Sequence, residues 1–112
     1  MKDISDEYMQ QHLAASKEYC IVILRTGPAW DPQSSRSIVW EHGRRNFALR
    51  AAGKLAIVCR AADESDLAGI GIFNAPLEEV QQIMNDDPAV KAGVLVYEAH
   101  PARGFPGDSL PG

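Results

Sequence analysis

The order of strand and helix patterns along the chain constrains its fold more than any other feature of the sequence. Four short segments are rich in β-branched and other apolar residues and are bounded by turn signals: Tyr19 to Arg25, Lys54 to Cys59, Leu67 to Phe73 and Val94 to Ala99. Helical patterns over Gln33 to Ala52 and over Pro76 to Met84 separate the first strand from the second and the third from the fourth. Strand, helix, strand, strand, helix, strand predicts an α+β, ferredoxin-like βαββαβ domain, with a four-stranded antiparallel sheet and both helices on one face.

Two extensions flank this predicted domain of residues 19–103. Residues 1–18 predict an extra amphipathic helix, with Ser5 as N-cap and with Asp6 and Glu7 in the first turn, where the helix dipole favours acids. Residues 104–112 hold three glycines and two prolines and predict a flexible tail. No second domain and no internal repeat is visible.

The strands are apolar at successive positions, which predicts that both faces of the sheet are buried. A sheet covered by helices on one face alternates apolar and polar residues, whereas Cys20 to Leu24 and Leu55 to Cys59 do not. We therefore expect a homodimer in which two sheets pack face to face. Coverage of the second face by the N-terminal helix is the alternative.

Composition and charge exclude several classes of protein. The 112 residues carry a net charge of −4, and acidic residues interrupt the arginines between positions 25 and 50, which argues against nucleic-acid binding. We expect no membrane span and no signal peptide, and hence a cytoplasmic protein. Cys20 and Cys59 lie in apolar strands, where buried, inert thiols are expected, and the scattered histidines and cysteines predict no metal site.

His42 is the main candidate for chemistry. It lies on the predicted long helix on the side of Ile38 and Leu49, which predicts a sheltered ring, whereas Trp40 and Phe47 lie on the opposite side and are expected in the core or an interface. A lone histidine of this kind is more often structural than catalytic. Asp86 and Asp87 could supply an orienting carboxylate, but Asp-Pro is also an ordinary helix stop.

The chain from about Val22 to Arg103 resembles the YCII-related (YciI-like) proteins of the dimeric α+β barrel group. The resemblance rests on the following ordered features: His42 eleven positions before Gly53-Lys54-Leu55, the Asp-Asp-Pro at 86 to 88, Ala92-Gly93 before the last strand, and Glu98 and Pro101 towards its end. It implies a His–Asp pair in a cleft, which falls on His42 and on Asp87, with Asp86 second. It also implies an unestablished reaction, with lyase chemistry on small cyclic or aromatic compounds in a few relatives.

The sequence departs from the family pattern at two positions near the expected cleft. Cys59-Arg60 stands where many members have Gly-Pro, and Ala89 stands where an aromatic residue usually follows the Asp-Pro. We expect Arg25, Arg60 and Cys59 to be candidate substrate-binding residues, although solvated arginines and an inert thiol are the simpler interpretation.

Two functions follow from these residues. The first is a cofactor-independent lyase or isomerase acting on an unidentified small molecule, in which Asp87 orients His42 as acid and base. The second is a non-enzymatic dimeric module for a small ligand or a protein, in which the pair is only structural. An open pocket at His42 would favour the enzyme, and a filled core would favour the module.

Overall fold

The computed structural model describes all 112 residues as four helices and one four-stranded sheet. In chain order the elements are α1 (Asp6–Ala14), β1 (Lys17–Thr26), α2 (Arg36–Ala51), β2 (Leu55–Arg60), β3 (Leu67–Phe73), α3 (Leu77–Asn85), α4 (Pro88–Lys91) and β4 (Leu95–Gly104). The strand order is β2-β3-β1-β4, and each neighbouring pair is antiparallel. The predicted ferredoxin-like α+β architecture is confirmed.

The core fills the space between the helices and one face of the sheet. Along β1 the even-numbered residues Cys20, Val22 and Leu24 are buried, and Phe73 lies opposite Cys20 on β3. The helices close over this face with apolar side chains, and α3 contributes Val80 and Met84, both of which are buried. Alternate residues of a strand point to opposite faces, so the register of β1 decides which side chains meet the helices.

The other face of the sheet carries isoleucines that nothing covers. In the register of β1 and β3, Ile21 lies opposite Ile72 and Ile23 lies opposite Ile70. The N-terminal helix does not cover this face, because none of the residues of α1 is buried. The alternative in which α1 completes the domain is therefore wrong for the isolated chain. None of the four helices is long and apolar enough to cross a membrane.

The last strand extends past its predicted end. β4 pairs with the whole of β1, from Leu95 opposite Thr26 to Gly104 opposite Lys17, and it passes through Pro101. Proline is tolerated there because β4 is an edge strand, which pairs with β1 on one side only and needs no backbone N–H donors on its other side. The strand thus includes residue 104, which the sequence assigned to the tail.

Three further features differ from the sequence interpretation. A four-residue helix, α4, follows the Asp-Pro that predicted only a helix stop. Trp40 and Phe47 are 70% and 65% exposed, so in the isolated chain they lie outside the core. Cys20 is buried as expected, but Cys59 is exposed.

Near the N-terminus, the predicted N-cap of α1 is confirmed, since the hydroxyl of Ser5 accepts from the backbone N–H of Tyr8 at 3.1 Å.

A close backbone contact fixes the end of β1 against the segment that follows α4. The N–H of Gly27 donates to the carbonyl of Val94 at 2.8 Å, and the N–H of Ala29 donates to the carbonyl of Gly93 at 2.9 Å. A Cβ atom added at Gly27 would overlap the backbone oxygen of Gly93. Only glycine fits this approach, which helps to position α4 relative to the sheet.

We predict that Gly27→Ala lowers the free energy of unfolding by about 2 kcal/mol, the usual cost of overpacking against a backbone that cannot shift freely. Urea denaturation followed by circular dichroism measures this change. The matched control is Gly43→Ala in α2, where a Cβ meets nothing within 4 Å, and we expect that variant to gain about 0.5–1 kcal/mol because alanine favours helix. Equal stabilities of the two variants would contradict the assigned contact.

Candidate active site

The structure brings His42 and Asp87 into direct contact. Nδ1 of His42 lies 2.6 Å from Oδ2 of Asp87, and the His42 and Asp87 side chains are only 10% and 1% exposed. His42 is the one buried residue of α2, which confirms the predicted sheltered ring. Asp86 is exposed and ends α3 as its C-cap, so Asp87, and not Asp86, contacts the imidazole.

Asp87 is held in place by the start of α4. It is the N-cap of that helix, with an extended backbone, and its Oδ1 accepts from the backbone N–H groups of Ala89 at 2.9 Å and Val90 at 3.3 Å. Pro88 occupies the first helical position, where its missing N–H costs nothing. The two carboxylate oxygens therefore have separate partners, α4 for Oδ1 and His42 for Oδ2.

The surroundings of Asp87 keep its carboxyl group ionised. Burial is the largest single influence on its pKa and raises it. The hydrogen bond and charge of His42, together with the backbone N–H groups of Val90 and Ala89, act in the opposite direction and outweigh burial, so the pKa of Asp87 lies below its ordinary value. An anionic carboxylate accepts a hydrogen bond from Nδ1–H of His42, which places the proton of a neutral ring on Nδ1.

The second ring nitrogen of His42 faces an amide. Nε2 lies 3.2 Å from Nδ2 of Asn46, one helical turn further along α2. With the proton on Nδ1, Nε2 carries a lone pair that accepts a hydrogen bond from the amide. Protonation of Nε2 would require the amide of Asn46 to turn its oxygen towards the ring, so the orientation of this side chain is coupled to the charge of the imidazole.

Arg45 places a positive charge beside the pair. Its Nη1 lies 3.8 Å from Oδ2 of Asp87, and this buried nitrogen has no hydrogen-bond partner. The side chain as a whole is 28% exposed, so part of the guanidinium reaches solvent. Neither Arg45 nor Asn46 was predicted from the sequence as a site residue. Their spacing of three and four residues from His42 puts them on the same side of a helix and was the signal that could have identified them.

The other candidate residues lie away from the pair. Arg25 bonds to Glu98 at 3.2 Å, and His100 bonds to the same carboxylate at 2.8 Å, on the face of the sheet opposite the helices. Cys59 and Arg60 line a surface cavity of about 180 Å³ at the end of β2, of which neither His42 nor Asp87 forms a part. The role of Arg25, Cys59 and Arg60 in substrate binding stays a prediction.

The space next to the pair is small. Asn46 lines a cavity of about 10 Å³ between α2 and the sheet, together with apolar core residues such as Leu55, Phe73 and Met84. That volume holds about one water molecule. His42 itself is buried in the isolated chain, at 8% exposed, and it does not line this cavity.

Comparison with known proteins gives no family assignment. No family model matches the chain, and no curated protein matches it. Among solved structures, the chain is similar to 5-chloro-2-hydroxyhydroquinone dehydrochlorinase (TftG) from Burkholderia phenoliruptrix AC1100, with 20% identity and a TM-score of 0.48 over 72% of this chain and 90% of that one. It is also similar to the methylated RPA0582 protein, with 16% identity and a TM-score of 0.37 over 95% of this chain and 96% of that one. Likenesses this weak do not bear on family or activity, so the resemblance to YCII-related proteins stays a prediction.

We predict that Asp87→Asn lowers the free energy of unfolding by about 3 kcal/mol at neutral pH, because it removes a buried anionic carboxylate that accepts from His42 and lies beside Arg45. Asparagine still caps a helix, so the loss reports the contacts of the carboxylate with His42 and Arg45 and not the cap. The matched control is Asp86→Asn at the exposed neighbour, for which we expect a change within about 0.5 kcal/mol. Similar losses in both variants would show that the contact with His42 adds nothing.

The same pair predicts how stability depends on pH. Because folding lowers the pKa of Asp87, its contribution is fully present above the ordinary aspartate value of 3.8 and is lost as the pH falls below 3.8 towards the lower folded pKa. Urea titrations between pH 6 and the acid limit of folding measure the difference between wild type and Asp87→Asn. We expect this difference to shrink on acidification, and a constant difference would contradict an ionised Asp87.

Proposed function

We propose that the chain is a cofactor-independent enzyme that moves a proton on a small molecule, with His42 as acid and base and Asp87 as its orienting partner. One observation carries the proposal: His42 is bonded at 2.6 Å to a buried carboxylate whose other oxygen is tied to the backbone of α4. Fixed in this way, the carboxylate selects the proton position on the ring and offsets the positive charge that the ring gains during catalysis. The resemblance to YCII-related proteins supports the same two residues.

The proposed proton transfer runs through Nε2 of His42. The amide of Asn46 turns away, and Nε2 takes a proton from a carbon or oxygen atom of the substrate while Nδ1–H stays bonded to Asp87. The unpaired Nη1 of Arg45 lies beside the pair and supplies a donor for the oxygen on which negative charge develops. His42 then returns the proton to another atom of the substrate, which completes an isomerisation or the elimination of a leaving group.

We predict that the protein accelerates hydrogen–deuterium exchange at an acidic C–H of its substrate, because reversible proton removal in D₂O labels the carbon even when the product is unknown. A panel of small cyclic and aromatic carbonyl compounds and phenols, followed by proton NMR and mass spectrometry, tests this. We expect His42→Gln to slow the exchange by about 10²–10⁴-fold, the usual contribution of a positioned acid or base.

Asp86→Asn serves as the matched control, since Asp86 is exposed and forms no contact with the imidazole, and its exchange rate should equal that of wild type. Exchange that persists unchanged in His42→Gln would rule out His42 as the base.

A second candidate function, a non-enzymatic binding module, is favoured by one observation. His42 is 8% exposed, and the cavity lined by its neighbour Asn46 is about 10 Å³, too small for a substrate. Under this proposal the bond between His42 and Asp87 ties α2 to the connection before β4 and does no chemistry. A panel compound that binds to the protein, measured by calorimetry, without any exchange of its C–H groups would support the module.

The uncovered face of the sheet supports a homodimer as the assembly in which either function operates. Ile70 is exposed and Ile21, Ile23 and Ile72 are half-buried, and together they form an apolar surface across the two central strands. Packing this surface against the same surface of a second copy would bury it at roughly 25 cal/mol per Å² of apolar area. Such an isologous contact between sheets is the arrangement that the apolar strands predict.

We predict that Ile70→Lys converts the dimer to a monomer, because the contact would then bury two lysine ammonium groups that repel each other. Light scattering after size exclusion measures the mass. The matched control is Gln82→Lys on α3, an exposed position on the helix side of the sheet, for which we expect the wild-type mass. A monomeric wild type at every concentration would contradict the sheet-face dimer.

A further inference from the structure

The helix α1 has an apolar side without any partner in its own chain. Its side chains Tyr8, Met9 and Leu13 are each about half exposed, at 47%, 49% and 55%, and none of the nine residues is buried. Helices shorter than about 12–15 residues are marginal in water, because few backbone hydrogen bonds offset the cost of nucleation. The cap at Ser5 adds only a small stabilisation, so a folded α1 needs a packing partner.

The outer side of α2 offers a complementary surface. Trp40 and Phe47 are the exposed large hydrophobic side chains of this helix, and a Cβ added at Gly43 between them would meet no atom within 4 Å. Arginine side chains flank the two rings, and the guanidinium of Arg50 lies 5.3 Å from the ring of Phe47. Exposed tryptophan, phenylalanine and arginine on one patch are the residue types enriched at protein interfaces.

The two helices carry charges of opposite sign on their exposed surfaces. The segment that leads into and begins α1 is acidic, with three carboxylates against one lysine: Asp3, Asp6, Glu7 and Lys2. The exposed side of α2 is basic, with three arginines against one carboxylate: Arg36, Arg44, Arg50 and Glu41. Two helices that join apolar side chains at the centre with opposite charges at the rim form a favourable contact.

The link between α1 and the domain is anchored and short. Only Ala15 and Ser16 separate α1 from β1, and Arg103 of β4 donates to the hydroxyl of Ser16 at 2.9 Å and to its carbonyl at 2.6 Å. This anchor fixes α1 at a place where no other part of its own chain covers its apolar side. A second copy is therefore the partner that the geometry favours.

We propose that α1 docks on the outer side of α2 of a second copy of this chain, with its apolar side chains against Trp40 and Phe47. The acidic residues of α1 face the arginines of α2 at the rim of the contact. In a dimer with two-fold symmetry the exchange occurs twice, once in each direction.

Disulfide trapping between differently modified chains tests the proposal. One chain carries Leu13→Cys and the other carries Gly43→Cys, and both carry Cys59→Ser to remove the exposed native thiol. After mixing under mild oxidation, mass spectrometry counts the disulfides between the two kinds of chain. We expect a yield on the order of tenfold above the matched pair of Leu13→Cys with Ala62→Cys, because docking raises the effective concentration of the two thiols.

Charge reversal gives a second readout that a sheet-face dimer alone would not change. Glu7→Arg in the Leu13→Cys chain should lower the yield roughly tenfold, and Arg44→Glu in the Gly43→Cys chain should restore it. A yield equal to that of the control pair, or a yield insensitive to Glu7→Arg, would overturn the proposal. Rapid closure of the disulfide within one chain that carries both Leu13→Cys and Gly43→Cys would also overturn it, since α1 would then dock on its own α2.

Discussion

Asp87 joins α2 to α4 and, through α4, to β4, and the arrangement of the candidate site depends on these contacts. One carboxylate oxygen caps α4, and the other holds the imidazole of His42 on α2. Since α4 leads directly into β4, the side chain links the long helix to the sheet through two sets of hydrogen bonds. A buried carboxylate is tolerated only when its oxygens are satisfied, and here the backbone of α4 and the ring of His42 supply the partners.

Because Asp87 bonds both to α4 and to His42, the pair can serve either a structural or a catalytic role. Helix capping restrains the carboxylate, and a restrained carboxylate fixes which ring nitrogen carries the proton. The group at the free ring nitrogen decides between the two roles. In the isolated chain that group is Asn46, and the cavity beyond it is about 10 Å³, so the chemistry that we propose requires the amide to move and space to open. Arg45, whose buried Nη1 has no hydrogen-bond partner and lies 3.8 Å from Asp87, is the cationic group beside the pair.

The isolated chain leaves three apolar surfaces uncovered. Its helices fill one face of the sheet, whereas the isoleucines of the other face, the apolar side of α1 and the aromatic residues of α2 all contact solvent. Large exposed apolar patches are characteristic of interaction surfaces. The isoleucines and α2 lie on opposite faces of the sheet, so the sheet-face dimer and the exchange of α1 that we propose are separate contacts.

The sequence by itself determined the architecture, because the signals for it are local. Apolar runs, the Gly53 that ends α2 and the Asp-Pro after α3 act over a few residues, and they placed all four strands and the two long helices of the domain. His42 was predicted to be sheltered because it shares a side of α2 with Ile38 and Leu49. By contrast, the Asp-Pro motif serves both to stop one helix and to cap the next, and this ambiguity is why α4 was missed.

Only the tertiary structure decided which groups meet. His42 and Asp87 are 45 residues apart, and no local pattern selects Asp87 over Asp86, because the choice depends on which carboxylate faces α2 once α4 has formed. The placement of Arg25 on the far face of the sheet follows from the register of β1, which a shift of one residue would invert. Exposure of Trp40 and Phe47 likewise follows from which side of α2 packs on the sheet, since periodicity shows that a helix has two sides but not which of them the fold buries.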